Sequence, residues 1–386
     1  MKIDYSKYAG KVEFWKGVVE KAKNFTGTSP PSVFVGRFGF PKVFVGILSP
    51  TQHESNAGVL DSPEDWYRNR ASIGDILGYR GQMVYSRFVS DVNAGSKLLD
   101  VTQQVAMAKS PADVEIELAK NPVFKFDFDK WSQPIGNPAP IMNASLASNP
   151  STKAKVDYLI SDMDAKAQDA VVELSSRVPM SQLQKIFSVG LLGTKSQRKL
   201  VPTRWAITAV DDMVSKALVE KILDYPEVDG IMLFHNEYLG NHYEILVLPG
   251  NYQMELVEIW NVDNPQPSID QDYENYWLRE TYASTTGGAF YSSRYAVGMH
   301  LEKIKRQASV LIVREVRPSY DVPMGIWQLR EAVKDAFNQQ HEKFGTVEQA
   351  VARICSRLVS KDKWVNESKL LKLLKTQSTL RKFTNG

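Results

Sequence analysis

Two histidines and two glutamates of this 386-residue chain have the types and spacing to do chemistry together. Residues 231–248 read as two strands joined by a four-residue turn, which pairs Glu237 with His242 and His235 with Glu244. Because side chains alternate along strands, these four groups would share one face. Such a set could hold a divalent metal or perform acid–base chemistry. The alternative is a solvated sheet face beside the end of a hairpin.

A second group of residues is basic. Lys195, Arg198, Lys199 and Arg204 cluster ahead of residues 205–210, which are rich in β-forming residues. Guanidinium and ammonium groups in a loop can bind the phosphates of DNA or of a nucleotide. A solvated loop would show the same composition, so the phosphate site is one of two interpretations.

The last motif is Gln377-x-x-Leu380-x-x-Phe383, which follows a leucine-rich helical segment. One 3₁₀ turn would place Leu380 and Phe383 on one side, with the Gln377 amide reaching a separate polar pocket. The motif resembles the peptide that docks onto the sliding clamp (PCNA), although Thr384 stands where a second aromatic residue is usual. The alternative is a helix end that packs on its own body.

Hydrophobic periodicity and turn residues predict the elements that must position these groups. The predicted strands are 33–35, 43–45, 204–210, 230–237, 242–248, 253–260 and 309–316. The predicted helices are 11–24, 97–120, 153–175, 181–190, 295–307, 325–342, 346–359 and 366–375, with one more from Asp211 or Asp212 to about residue 223. Residues 132–151 and 261–275 contain prolines and are expected to be loops, and the last ten residues are expected to be extended.

This order of elements predicts an α+β (mixed α/β) fold, with antiparallel or mixed sheets and flanking helices, a helical C-terminal part and a flexible C-terminal tail. Four segments follow from it. They are an N-terminal α/β lobe (1–131), a Pro-rich loop or lobe crossing (132–152), a C-terminal α+β lobe (153–375) and a sliding-clamp-binding tail (376–386).

Composition limits the function further. A single cysteine, Cys355, excludes an internal disulfide and any cysteine-based metal cluster. The net charge is +3, but residues 361–386 carry +5 and the remainder −2, so any contact with nucleic acid must be local. The sequence has neither an apolar stretch of about 20 residues nor a signal peptide, so we expect a cytoplasmic protein that does not contact membranes.

Three stretches resemble the archaeal Nre proteins, specifically the NreA type, a DNA-repair family. They are VFVGRFGFPKV at 33–43, DSPEDW at 61–66 and KLVPTRWAITAVDD at 199–212. The resemblance runs through nearly the whole chain, including the clamp-binding motif. It implies a cytosolic repair factor that works with the sliding clamp on damaged DNA, and it supplies no active-site residue.

Three functions remain compatible with these observations. The first is a DNA-repair factor that is tethered to the clamp and recognises DNA, a nucleotide or another repair protein; tethering raises the local concentration without a strongly basic body. The second is a metal-dependent enzyme that acts on a nucleotide or phosphoester and is delivered by the clamp. The third is a non-catalytic adaptor between the clamp and other repair proteins. The sequence leaves open whether the protein is an enzyme.

Overall fold

The computed structural model describes residues 6–125, 132–147 and 149–384, with the backbone alone at residues 6, 9, 11–14 and 377–384. The chain divides into two compact units, Met1–Val214 with Val322–Trp327, and Ser215–Asp321 with Gln328–Gly386. The helices are α1 (Ala9–Val19), α2 (Pro63–Arg68), α3 (Ile73–Gly81), α4 (Lys97–Met107), α5 (Ala154–Ser161), α6 (Ala167–Leu174), α7 (Met180–Ser188), α8 (Thr203–Ile222), α9 (Gly288–Ile304), α10 (Trp327–Ala336), α11 (Val347–Arg357) and α12 (Lys369–Thr384).

The strands are β1 (Asn24–Ser29), β2 (Val33–Val35), β3 (Lys42–Pro50), β4 (Met83–Asp91), β5 (Ala112–Leu118), β6 (Asn137–Leu146), β7 (Ile231–Tyr238), β8 (Asn241–Leu248), β9 (Gln253–Trp260), β10 (Ser268–Glu274), β11 (Ser309–Val316) and β12 (Glu342–Phe344). Each unit contains one six-stranded sheet, in the order β1-β5-β6-β4-β3-β2 in the first and β10-β9-β11-β8-β7-β12 in the second. One pair in each sheet, β4–β6 or β9–β11, is parallel and the others are antiparallel. The predicted α+β class with mixed sheets is therefore confirmed.

Helices α11 and α12 cover one face of the second sheet. Buried side chains from both helices meet buried apolar residues of four strands, β7, β8, β9 and β11, so this face forms a continuous core. The cluster includes Leu233, Leu246, Leu248, Val257, Ile259, Leu311, Val313, Ala350, Ile354, Trp364, Leu370 and Leu371. Among the described residues, no helix combines the length and apolar character needed to cross a membrane.

The strand predicted at residues 204–210 is wrong, because this segment is the first half of α8. Its β-branched and aromatic residues favour a strand locally, but the buried positions recur with helical spacing. These positions are Ala206, Ile207, Val210, Val214 and Val219. The helix begins directly after Pro202, whose carbonyl accepts the backbone N–H groups of Trp205 and Ala206.

Residues 132–151 were expected to form a loop, yet they contain β6, a strand of the first sheet. Pro138 and Pro140 can lie in this strand. In a strand, the N–H and the C=O group of one residue point to the same side. Their carbonyls accept the N–H groups of Val123 and Ala119, so the missing proline donors face that segment and leave the pairing with β4 intact. The first unit extends past this segment to Val214.

Two other predicted elements differ in their second halves. The predicted helix at 97–120 ends at Met107 and is followed by β5, in which buried and exposed residues alternate. The predicted loop at 261–275 supplies the edge strand β10. In both segments the alternation of side chains that marks a strand extends over only a few residues. The pattern that precedes it, helical in the first segment and rich in proline in the second, is longer and hides the strand.

Within the first unit, a buried carboxylate binds one cation from α3 and one from α7. Asp61 accepts hydrogen bonds from Ser32 and Gln133, and its oxygens lie 2.9 Å from Arg80 Nη1 and 2.7 Å from Lys185 Nζ. Burial alone would raise the pKa of Asp61, but the two cations hold it well below its usual value. Both buried cations therefore stabilise the interior of this unit.

The start of α12 is held by a second buried carboxylate, which belongs to β9. Glu255 accepts the Ser368 hydroxyl at 2.6 Å and the backbone N–H groups of Lys369 and Leu370 at 2.7 and 3.0 Å. These donors are among the groups that a helix leaves without partners in its first turn. Glu255 thus determines where α12, the helix that contains the C-terminal motif, leaves the sheet.

We predict that Glu255→Ala lowers the free energy of unfolding by about 3 kcal/mol, because buried donors left unpaired cost about 1–3 kcal/mol each. Urea unfolding followed by circular dichroism measures the change. Glu348→Ala, which removes an exposed glutamate from α11, is the matched control and should stay within about 0.5 kcal/mol of wild type. Equal effects of the two substitutions would contradict the anchoring role of Glu255.

Candidate functional site

The β7–β8 hairpin has the register that the sequence predicts. Glu237 lies opposite His242 and His235 lies opposite Glu244, so the predicted pairing is confirmed. Burial divides the four side chains: His242 and Glu244 are buried, whereas His235 and Glu237 are exposed.

His242 is held between two carboxylates. Its Nδ1 lies 2.5 Å from Glu237 Oε1 and its Nε2 lies 2.7 Å from Glu244 Oε1. Burial alone would lower the pKa of His242, but the hydrogen bonds to Glu244 and Glu237 outweigh it and raise the pKa above the usual 6.5. Arg317 and Arg357 pair with Glu237 and Glu244 at 2.9 and 3.2 Å.

This arrangement favours a charged network over the metal site considered for His235, Glu237, His242 and Glu244. When both imidazole nitrogens donate to carboxylates, the ring has no lone pair left for a metal ion. Across residues 6–125, 132–147 and 149–384, no group of three or more His, Cys, Asp or Glu side chains is arranged to hold one. The hairpin thus joins β7 and β8 to α11 through Arg357.

The predicted basic loop separates into structural and accessible residues. The Arg198 guanidinium donates to three backbone carbonyls, those of Gly193, Ile160 and Asp162, at 2.8 to 2.9 Å. Arg198 therefore holds the loop together. Lys195 and Lys199 are exposed and Arg204 is half-buried, so these three residues remain as candidates for phosphate contact.

The first residue of α8 contacts one edge of the first sheet. β2 is one of the two edge strands, and the backbone N–H of Val35 donates to Thr203 Oγ1 at 2.9 Å. Nearby, the backbone N–H of Leu200 donates to the Val92 carbonyl at 2.8 Å. The loop that carries Lys199 and the first turn of α8, which carries Arg204, are therefore fixed beside the β2–β3 hairpin.

The sequence interpretation missed a set of exposed aromatic rings at this place. Phe40 in the β2–β3 turn contacts Trp205 of α8, with ring centroids 5.2 Å apart. In the same turn, the Arg37 guanidinium lies 4.5 Å from the centre of the Phe38 ring. We call Arg37, Phe38, Phe40 and Trp205 the hairpin-tip patch. Its only sequence signal is two phenylalanines and an arginine within a glycine-rich turn.

The C-terminal motif lies on α12, which continues as a helix to Thr384 where an extended tail was expected. Leu370 and Leu371 are buried in the core, and Lys372, Lys375 and Thr376 are exposed. The helix packs on this core through its second turn, where the half-buried Leu374 is the last residue in contact with it. The side chains of Gln377, Leu380 and Phe383 lie outside the described part of the chain.

Comparison with known proteins gives consistent matches along the chain. The family models "Archaeal Nre, N-terminal" and "Archaeal Nre, C-terminal" match residues 8–264 and 274–383. The DNA repair protein NreB of Archaeoglobus fulgidus is 35% identical over 362 residues, which cover 92% of this chain and 90% of the relative. The DNA repair protein NreA of the same organism is 38% identical over 342 residues, covering 86% and 85%.

A further relative, the DNA repair protein NreA of Haloferax volcanii, is 34% identical over 352 residues, which cover 86% of this chain and 82% of that protein. No solved structure matches the chain.

The raised pKa of His242 predicts a pH dependence of stability. The protonated ring stabilises the folded state fully below pH 6.5, and this stabilisation is lost as the pH rises through the folded-state pKa. His242→Gln should therefore reduce the free energy of unfolding most at pH 6 and progressively less at higher pH. Urea unfolding at several pH values measures the difference.

His235→Gln replaces the exposed histidine of the same hairpin and is the matched control, which should stay within about 0.5 kcal/mol of wild type. A constant difference for His242→Gln from pH 6 to 9 would contradict the charged network. A His242 NMR resonance that shifts on addition of Zn²⁺ would favour the metal site instead.

Proposed function

This chain belongs to the archaeal Nre family, and from that premise we propose that it is a DNA-repair factor that contacts damaged DNA with its body and is tethered to the sliding clamp (PCNA) by residues 377–383. The observation that carries the proposal is the identity of 34–38% to three DNA repair proteins over most of each chain.

The spacing of Gln377, Leu380 and Phe383 supports the tether. These residue types are separated by three positions, the period of a 3₁₀ turn, so they can fill one apolar and one polar pocket together. Docking requires the end of α12 to change from α-helix to a 3₁₀ turn. Helix ends fray and their last turn is often 3₁₀, so this change costs little.

Exposed cations beside the motif strengthen its attraction to an acidic partner. Lys372 and Lys375 lie on the exposed part of α12. They would speed association with an acidic clamp surface and make it sensitive to salt. A short peptide must also be ordered on binding, which limits the affinity of the segment alone to the micromolar range.

Lys195, Lys199 and Arg204 support contact between the body and DNA. The start of α8 adds backbone N–H groups and the positive end of the helix dipole to these cations, a combination that favours phosphate. A net charge of only +3 gives weak attraction at long range. The tether compensates, because it raises the local concentration of the body at the DNA that the clamp encircles.

We predict that Leu380→Ala combined with Phe383→Ala abolishes binding to the clamp, because the two side chains supply most of the apolar surface buried in its pocket. At about 25 cal/mol per Å², each contributes on the order of 2 kcal/mol. Isothermal titration with the purified clamp measures the loss. Ser378→Ala combined with Thr379→Ala, at two positions between the motif residues, is the matched control and should bind as wild type does.

Thermal unfolding separates the tether from a core role of the same residues. The double variant should unfold at the wild-type temperature. Unchanged clamp affinity would contradict the tether, and a lowered unfolding temperature would assign the two side chains to the core of the protein.

We also predict that Lys195→Ala combined with Lys199→Ala weakens DNA binding and flattens its salt dependence. Removal of two phosphate contacts lowers the slope of log K against log salt by about two. Fluorescence anisotropy with a labelled duplex at several salt concentrations measures the slope. Lys109→Ala with Lys120→Ala removes the same charge from exposed positions of the first unit and should leave the slope unchanged.

A third variant tests the separate role of Arg198. Because its guanidinium ties three carbonyls, Arg198→Ala should lower the unfolding temperature while the salt slope stays close to wild type. Equal slopes for the Lys195/Lys199 variant and wild type would remove this loop from the DNA contact.

A further inference from the structure

We propose that the hairpin-tip patch binds an unpaired DNA base by stacking, so that the body distinguishes single-stranded or distorted DNA from intact duplex. The inference rests on the proposed function and names the form of DNA that this surface takes. Its ligand is a nucleobase whose face is free, together with the phosphates on either side of it.

The aromatic rings of the hairpin-tip patch are exposed to solvent. Phe38 is 76% exposed, Phe40 48% and Trp205 46%. A single exposed apolar side chain is ordinary on a protein surface. Three aromatic rings gathered from one turn and the start of a helix, two of them in contact, form a patch that typically marks a binding site.

The turn between β2 and β3 has a fixed shape. Gly39 has φ of +84°, and a Cβ atom at this position would lie 2.7 Å from the Lys42 carbonyl oxygen. The Lys42 N–H donates to the Gly39 carbonyl at 3.0 Å. Because Thr203 also holds Val35 at 2.9 Å, the turn and the first residues of α8 present their rings without a large ordering cost.

Positively charged side chains surround the rings. Arg37 and Lys42 are exposed in the turn, and Arg204 precedes Trp205 in α8. The carboxylate on the neighbouring strand is Asp91, which lies opposite Lys42 and accepts the backbone N–H of Asn93. Cations interleaved with aromatic rings are the arrangement that tracks a phosphate backbone and stacks its bases.

Intact duplex DNA cannot be the ligand of the rings. In a duplex, neighbouring base pairs already cover both faces of each base, so a protein ring can stack only on a base that has left the helix. The combination of rings and cations therefore favours a single strand, an unpaired base or a damaged position.

Two 20-nucleotide probes of equal charge test the inference. One is oligo(dT), and the other is an abasic strand of the same length, which keeps the phosphates and lacks the bases. We expect the full chain to bind oligo(dT) about tenfold or more tightly, because each stacked base contributes a factor of this order. Fluorescence anisotropy of the labelled strands measures both affinities.

Two variants identify the rings as the cause. Phe38→Ala with Trp205→Ala should bind both probes with the affinity that wild type has for the abasic strand. Phe38→Tyr with Trp205→Phe keeps both rings and should keep the preference for oligo(dT). The variant that keeps both rings should unfold at the wild-type temperature. The alanine variant loses the contact between Trp205 and Phe40, so circular dichroism at the assay temperature must show that it is folded.

The outcomes separate this inference from the proposed function. Equal wild-type affinity for the two probes, or an unchanged preference in the alanine variant, overturns the stacking site, while salt-dependent duplex binding would leave the proposed DNA contact standing. Absence of binding to the duplex and to both strands overturns the DNA contact and the stacking site together.

Discussion

The hydrogen bond from the Val35 N–H to Thr203 Oγ1 is the interaction on which the proposed DNA surface depends. An edge strand with free backbone donors tends to pair with other chains, and here the first residue of a long helix occupies that edge. The same contact places Trp205 against Phe40. The position at which α8 begins therefore determines both the contact with the sheet edge and the aromatic surface.

The chain has 47 basic residues against 44 acidic ones, and buried interactions withdraw several of the basic residues from contact with DNA. Arg294 and Arg314 are buried against Glu274 and Glu258 in the second unit. Arg198 donates to three carbonyls in the first. Removing one partner of a buried pair is strongly destabilising, so these cations stay committed to the fold. Contact with DNA then falls to a few accessible cations, and aromatic stacking and a tether supply binding energy that charge does not.

The sequence predicts the β7–β8 hairpin with its register, because its strands alternate regularly and a short turn fixes the pairing. It fails for α8, whose residues favour a strand locally while packing selects the helical spacing of Val210 and Val214. The role of Arg198 is equally hidden, since backbone carbonyls are its partners and no side-chain pattern marks them. The hairpin-tip patch needs a contact between Phe40 and Trp205, which lie far apart in the chain and meet only after folding.

Photocrosslinking tests most directly where DNA meets the body. A single-stranded oligonucleotide that carries 5-iodouracil reacts on irradiation with aromatic side chains stacked on the modified base, and mass spectrometry of the digested protein locates the bond. We expect crosslinked peptides that contain Phe38, Phe40 or Trp205. Crosslinks confined to other peptides, such as the one that contains the exposed Trp277 of the second unit, would contradict it.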